Sequence, residues 1–316
     1  MFTPSSNLFF AFFVPFLVGI ILIPLLICFS SKNKKIVDVA EGDELKIHKK
    51  PTSLLGGVGM VLAMVVGLVL FLGKNSFGEC TAIVLGILVI GGLGFWDDVK
   101  WKHVTTIKPK LKFALLLICT LVPGILLALA QIGFNFLPIF IISALLSFIY
   151  IFVVINAVNY QDGMDGLAGG LVVISLAGFL VLGLATGNYV MVSIALIGMG
   201  AVLSFLIFNF PPAKIFMGDS GAYSLGFLLA TLAMMFSKPY DFPSVIAPIF
   251  IIGLPVFDGV FTNIRRLANG KSIFLGDRSH FYDKLMQRGF SVKKTLAICY
   301  ALQIVLVMVG LIAYKI

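Results

Sequence analysis

Ten apolar runs, each near the length that crosses a hydrocarbon layer, leave this chain one class of fold. They cover residues 7–30, 54–73, 79–96, 112–132, 137–155, 168–186, 189–208, 220–236, 244–263 and 295–314. About 20 consecutive apolar residues suffice for a membrane helix. A lipid interior offers the backbone no water, so such runs take the form that satisfies its polar groups internally. The composition agrees: 60% of the residues are hydrophobic and 12% are charged, against about 25% charged in soluble domains. The joints are too brief for a folded unit outside the membrane. Residues 1–316 are therefore expected to form a single integral membrane domain, all-α and polytopic, with about ten transmembrane helices.

The loops fix an expected orientation. Residues 1–31 hold no Lys or Arg, so the basic start of a cleavable signal is missing and the first run is expected to stay as a helix. Of the 23 Lys and Arg, all but Lys74, Lys238 and Lys315 fall in or beside the loops at 31–53, 97–111, 156–167, 209–219 and 264–294. Loops rich in Lys and Arg stay cytoplasmic, which places both termini outside. The net charge of +9 is thus mainly an orientation signal, and a basic face also attracts anionic lipids and phosphate-bearing substrates. No motif supports nucleic-acid binding. Cys28, Cys80, Cys119 and Cys299 lack CxxC spacing and read as small buried hydrophobes.

Five aspartates stand at the cytoplasmic ends of these runs: Asp97, Asp98, Asp162, Asp165 and Asp219. Carboxylates beside bilayer-length apolar segments are costly and mark polar sites. Adjacent helical residues point about 100° apart, so Asp97 and Asp98 are not expected to serve one ion equally. One would hold a metal while the other takes a proton. In NAVNYQDGMDGLAGG, Asn156, Asn159, Asp162 and Asp165 recur every three residues, one broad face if the segment stays helical. Such a face suits a hydroxyl-rich or nucleotide ligand. FNFPPAKIFMGDSG gathers Asn209, Lys214, Phe216 and Asp219 in one loop; Phe216 either stacks on a base or anchors in the interface. The hard oxygen donors Asp97, Asp98 and Asp219 favour Mg2+ or Mn2+ over zinc. Lys49, Lys50, Arg278 and His280 are available to a diphosphate. No P-loop or GxGxxG follows a strand, which argues against ATP hydrolysis and Rossmann-type cofactors. Within 264–294, a short interfacial helix is expected around 279–288.

Taken together, the KKP…GG entry, the aspartate pair, NxxNxxDGxDGLA, NFPPAKIFMGDSG and the basic loop before the last run resemble the polyprenyl-phosphate N-acetylhexosamine-1-phosphate transferase family. The match spans nearly the whole chain in motif order and sidedness, and NFPPAKIFMGDSG looks like the branch that uses UDP-N-acetylglucosamine. One departure stands out: the HxHH of the last loop reads His280-Phe281-Tyr282-Asp283 here. That loop is where the resemblance places discrimination between sugar substituents.

The resemblance implies transfer of an N-acetylamino-sugar 1-phosphate from a UDP-sugar to undecaprenyl phosphate, releasing UMP, at the cytoplasmic face of a bacterial inner membrane. It implies Asp219 as a Mg2+ ligand with Asp98 assisting, Mn2+ being the alternative ion. Asp97 would orient or deprotonate the lipid phosphate. Asn156, Asn159, Asp162 and Asp165 would bind the uridine, Phe216 would stack on uracil, and Asn209 would support the nucleotide. Lys49, Arg278 and His280 would face the phosphates, with the prenyl tail in a groove between apolar spans. Partners are then the UDP-amino sugar, undecaprenyl phosphate and membrane lipids; a homodimer is compatible, though no residue pattern marks its interface. The nearest rival is the same chemistry on UDP-MurNAc-pentapeptide or a modified amino sugar. A transporter would carry its acids near mid-span with paired Gly/Pro-broken runs, which this sequence lacks.

Overall fold

The computed structural model describes residues 4–32, 36–38, 51–72, 76–101, 109–136, 139–272 and 278–315. The helices are α1 (Pro4–Ser30), α2 (Gly56–Phe71), α3 (Phe77–Trp96), α4 (Pro109–Leu129), α5 (Phe140–Tyr160), α6 (Leu167–Thr186), α7 (Tyr189–Asn209), α8 (Gly218–Phe236), α9 (Phe242–Ile251), α10 (Gly253–Ala268), α11 (Phe281–Gln287) and α12 (Val292–Ala313). A five-residue π-turn, Asp97–Trp101, prolongs α3. Among the described residues, α1, α3 to α8 and α12 are long and apolar enough to span a membrane, and α2 is a shorter apolar helix. The protein is an all-α multi-pass membrane protein, and each of the ten apolar runs coincides with helix.

One run departs from the expected straight span. Residues 244–263 form two helices, α9 and α10, that meet at 86°. Pro255 follows the break by two residues; it lacks a donor and its ring excludes the carbonyl four residues back. That carbonyl belongs to Ile251, and fully buried Gln303 of α12 takes it over. Gln303 Nε2 donates to Ile251 O (2.7 Å) and to Ser175 Oγ (3.0 Å), while its Oε1 accepts from Leu254 N (2.8 Å). Broken helices persist in a membrane where side chains satisfy the freed backbone in this way. Beyond the break, Asp258 of α10 accepts from Gln161 Nε2 (2.9 Å), next to Asp162 in the chain.

At the centre lies α8, packed against α2, α3 and α5. Every residue of α8 except Asp219 and Met235 is buried. Lipid tails are as apolar as these side chains, so close packing and polar bonds rather than hydrophobic transfer hold such helices together. Small residues permit that packing. A Cβ on Gly94 of α3 would stand 2.5 Å from the Asp219 carbonyl and from Ser220 N. Thus α3 and α8 meet backbone to backbone where the aspartates converge. Outward faces carry Ile21, Ile125, Ile141 and Ile312, side chains suited to lipid.

A small antiparallel ladder, Val37–Asp38 with Thr52–Ser53, closes over the start of α2. Phe216 N donates to Ser53 O (2.8 Å), and Gly56 N and Gly57 N donate to Phe216 O (3.0 Å) and Met217 O (2.8 Å). The first amides of α2 are thereby satisfied by the loop that leads into α8.

Candidate active site

Asp98 shapes the entry to α8. Gly218 is left-handed (φ +68°), a conformation open to glycine at little cost. A Cβ there would also stand 2.5 Å from Asp98 Oδ2. Beyond it, Asp219 N donates to Asp98 Oδ1 (3.0 Å) and Ser220 N donates to Oδ2 (3.2 Å). Both oxygens of Asp98 therefore engage helix amides, where a negative charge is favoured by the helix dipole. Within the aspartate pair the contacts differ, and Asp98 braces the start of α8 through these two amides.

Asp97 is the member of the pair that shares a cation with Asp219. Lys112 Nζ of α4 pairs with Asp97 Oδ2 and with Asp219 Oδ2, the latter at 2.8 Å. On the other side, Asn159 Nδ2 of α5 donates to Asp219 Oδ1 (2.8 Å). Four elements thus converge on one polar point: the turn after α3, α4, α5 and the start of α8. The sequence marked Lys112 only as a loop-side charge. Its role depends on α4 packing beside α3, which no motif encodes.

From this point a cleft of about 600 Å3 runs between α4, α5 and α10. Phe113, Leu116, Phe152, Val256, Val260 and Ile264 supply its apolar lining, while Lys112, Asn159, Asn263, Arg266 and His280 supply polar groups. Asn156 also lines it, with its amide donating to Phe152 O (2.8 Å) in its own helix. The cleft thus joins Lys112 and Asn159, the partners of Asp219, to these apolar side chains.

The three-residue repeat does not remain on one helix face. α5 ends at Tyr160 and the chain turns through Gly166 (φ +78°). Asn156 and Asn159 stay on α5, whereas Asp162 and Asp165 belong to the turn. Asp165 Oδ2 accepts from Ala213 N (3.0 Å). Buried Asn209 accepts from Gly166 N (2.9 Å) and donates to Ile215 O (2.8 Å). These two residues clamp the 161–166 turn to the Pro211-Pro212 loop, whose joining peptide is cis. Phe216 is half-buried in that loop, and Asp162 is half-buried in the turn.

His280 ends the cleft's polar set. It is buried and caps α11, the short helix expected near 279–288. Its Nδ1 lies 2.9 Å from Asp258 Oδ2, its ring stacks on Tyr282 (centroids 6.0 Å apart), and the Tyr160 ring lies tilted against it (5.2 Å). Burial, with the nearby Asp283, Asp258 and Asp162, pushes the Tyr282 phenol well above its usual range, so it stays neutral. Burial likewise raises the Asp283 carboxyl. Arg278 is exposed and does not line the cleft. Lys49 and Lys50 lie outside the described residues. Asp258 was missed, although a lone acid in the apolar run 244–263 is a signal of its own.

The donor chemistry suits a hard cation. No group of three or more His, Cys, Asp or Glu gathers among the described residues, so a zinc-type set is missing there. Asp97 and Asp219 both reach the one cationic group of Lys112. Mg2+ uses one or two carboxylates and keeps several waters, so Asp97 and Asp219 are the residues that would hold it.

The profile of glycosyl transferase family 4 matches residues 80–237. A probable undecaprenyl-phosphate N-acetylglucosaminyl 1-phosphate transferase of Bacillus subtilis is 33% identical, over 84% of this chain and 74% of its own length. A phospho-N-acetylmuramoyl-pentapeptide-transferase of Streptococcus pneumoniae is 33% identical, over 86% of each chain. Another, from Clostridium botulinum, is 29% identical over 98% of this chain and 96% of its own. With half of its length matching the family profile and these relatives aligned along most of the rest, the chain belongs to glycosyl transferase family 4.

Proposed function

We propose that this protein transfers an N-acetylamino-sugar 1-phosphate, GlcNAc-1-phosphate foremost, from its UDP-sugar to undecaprenyl phosphate at the cytoplasmic face of the membrane. The observation that carries this reading is the Asp97–Lys112–Asp219 point at the edge of a largely apolar cleft. A lipid phosphate needs both halves: apolar walls for its chain and a charged point for its head. The relatives named above act on this class of lipid or sugar by their names, and the Lys- and Arg-rich loops support the orientation.

In the reaction, an oxygen of the lipid phosphate attacks the β-phosphorus of the UDP-sugar. The bond from that phosphorus to the bridging oxygen breaks, and UMP leaves with the electron pair. Two anions must approach, so positioning and charge compensation dominate. Lys112 neutralises the lipid phosphate and holds it against Asp97. Asp97 and Asp219 would hold Mg2+, or Mn2+ in its place, and the bound cation would offset charge that develops on the phosphate oxygens. Asp98 fixes Asp219 through the start of α8, and Asn159 orients the Asp219 carboxylate. Asp162 and Phe216 receive the uridine, in a loop whose shape Asp165 and Asn209 maintain. His280 faces the diphosphate from the wall of the cleft.

UDP-MurNAc-pentapeptide is the second reading, favoured by the pneumococcal and clostridial relatives. A panel separates the two. Purified protein with Mg2+ and undecaprenyl phosphate should release UMP from UDP-GlcNAc faster than from UDP-MurNAc-pentapeptide. No UMP from any UDP-amino sugar would overturn the reading.

A further inference from the structure

We propose that Asp258 is a positioning residue that holds His280 in the Nδ1-protonated form and presents its Nε2 to the substrate diphosphate. The proposal rests on the reading above, in which His280 faces those phosphates. Asp258 sits in α10, beyond the 86° break after α9. It is buried, as is His280.

Three N–H groups aim at the Asp258 carboxylate. Gln161 Nε2 donates to Oδ2 (2.9 Å), Phe281 N donates to Oδ1 (2.9 Å), and His280 Nδ1 stands 2.9 Å from Oδ2. An aspartate is ordinarily ionised at neutral pH and a carboxylate can only accept, so Nδ1 is the partner that carries the proton. Nε2 is then the ring nitrogen left for the cleft that His280 lines. The Tyr282 ring, stacked, and the Tyr160 ring, tilted, pack against the imidazole. When Nε2 also binds a proton and donates to a phosphate oxygen, Asp258 compensates the imidazolium charge. This is the arrangement by which a carboxylate sets the tautomer and basicity of a ligating histidine. Other charged groups share the setting: Asp283 accepts from His280 N (3.3 Å), and Arg266 lines the same cleft.

The arrangement bears on the altered HxHH motif. Asp283 stands where the pattern has a histidine and braces the helix start, while Tyr282 supplies a wall for the ring. The residual histidine is held from three sides, by α5, α10 and α11.

A structural role for Asp258, as an anchor of α11 alone, predicts a different outcome, and three variants separate the two. Asp258→Asn keeps the shape but offers one acceptor oxygen to three donors. UMP release from UDP-GlcNAc and undecaprenyl phosphate should fall in kcat by about 10- to 100-fold, with KM for both substrates within about threefold. His280→Gln should lose a similar amount, and the double variant should be no worse than His280→Gln. Losses that multiply in the double variant would overturn the proposal, because Asp258 would then act apart from His280. Nitrogen-15 NMR of the histidine-labelled full-length protein gives a readout that needs no turnover. The His280 signal, assigned by its disappearance in His280→Gln, should report a protonated Nδ1 in the wild type. A neutral ring protonated at Nε2 would overturn the proposal whether or not Asp258→Asn folds. If no UDP-amino sugar turns over, the functional reading fails, while the NMR result still decides the clamp.

Discussion

Replacing Asp98 by Asn separates a bracing carboxylate from a metal ligand. Asp98 is buried and accepts Asp219 N and Ser220 N at 3.0 and 3.2 Å. Asn offers one acceptor oxygen and turns an NH2 group on the other amide, leaving one buried N–H unpaired. A hydrogen bond to a charged group contributes about 1.5–3 kcal/mol, and the charge at the helix start adds about 0.3–1 kcal/mol. Asp98→Asn should therefore lower stability by about 2–4 kcal/mol. Thermal unfolding of the detergent-purified protein, with and without Mg2+, measures this. The transition should fall by several degrees while the stabilisation by Mg2+ persists, and Asp97→Asn should show the reverse. An Asp98→Asn variant that unfolds with the wild type yet no longer responds to Mg2+ would refute the bracing role.

Three further perturbations test the scaffold. Gln303→Leu removes the partner of Ile251 O and Leu254 N at the helix break; at about 1–3 kcal/mol per orphaned buried group, both the unfolding temperature and UMP release should drop, and unchanged stability would contradict the account of the break. Gly94→Ala forces a Cβ to within 2.5 Å of the Asp219 carbonyl, and because misplacement by an ångström costs about 100-fold in rate, kcat should fall on that order; a wild-type rate would deny that the approach of α3 to α8 sets the site. Asp165→Ala frees Ala213 N and should raise KM for the UDP-sugar more than it lowers kcat, which steady-state kinetics decides; an unaltered KM would remove the loop clamp from the account.

The sequence announces the helices because bilayer length is a strong signal, and each of the ten apolar runs is helical. It does not announce the bend after Ile251. Pro255 lies in an uninterrupted apolar run, and only Gln303, 52 residues beyond Ile251, makes a sharp break sustainable. The aspartates were legible because charge beside apolar runs is conspicuous, but their partners were not. Lys112 meets Asp219 across 107 residues of chain, a contact created by helix packing alone. The Asn156-to-Asp165 repeat leaves a single helix face for a local reason: α5 ends at Tyr160, and the chain turns through Gly166 into α6. Asp165, expected at the uridine, and Asn209, expected to support the nucleotide, both bond to backbone groups of the neighbouring loops. Spacing cannot distinguish a side chain that binds a ligand from one that binds the loop presenting it.

The central claim is that the point joining Asp97, Lys112 and Asp219 carries phosphosugar transfer. Its most direct test is UMP release by Asp219→Asn, beside wild type, with UDP-GlcNAc, undecaprenyl phosphate and Mg2+. The account predicts UMP from the wild type only when both substrates are present, and at least about a 100-fold loss in a variant whose unfolding temperature is preserved. Turnover at the wild-type rate by Asp219→Asn would contradict it.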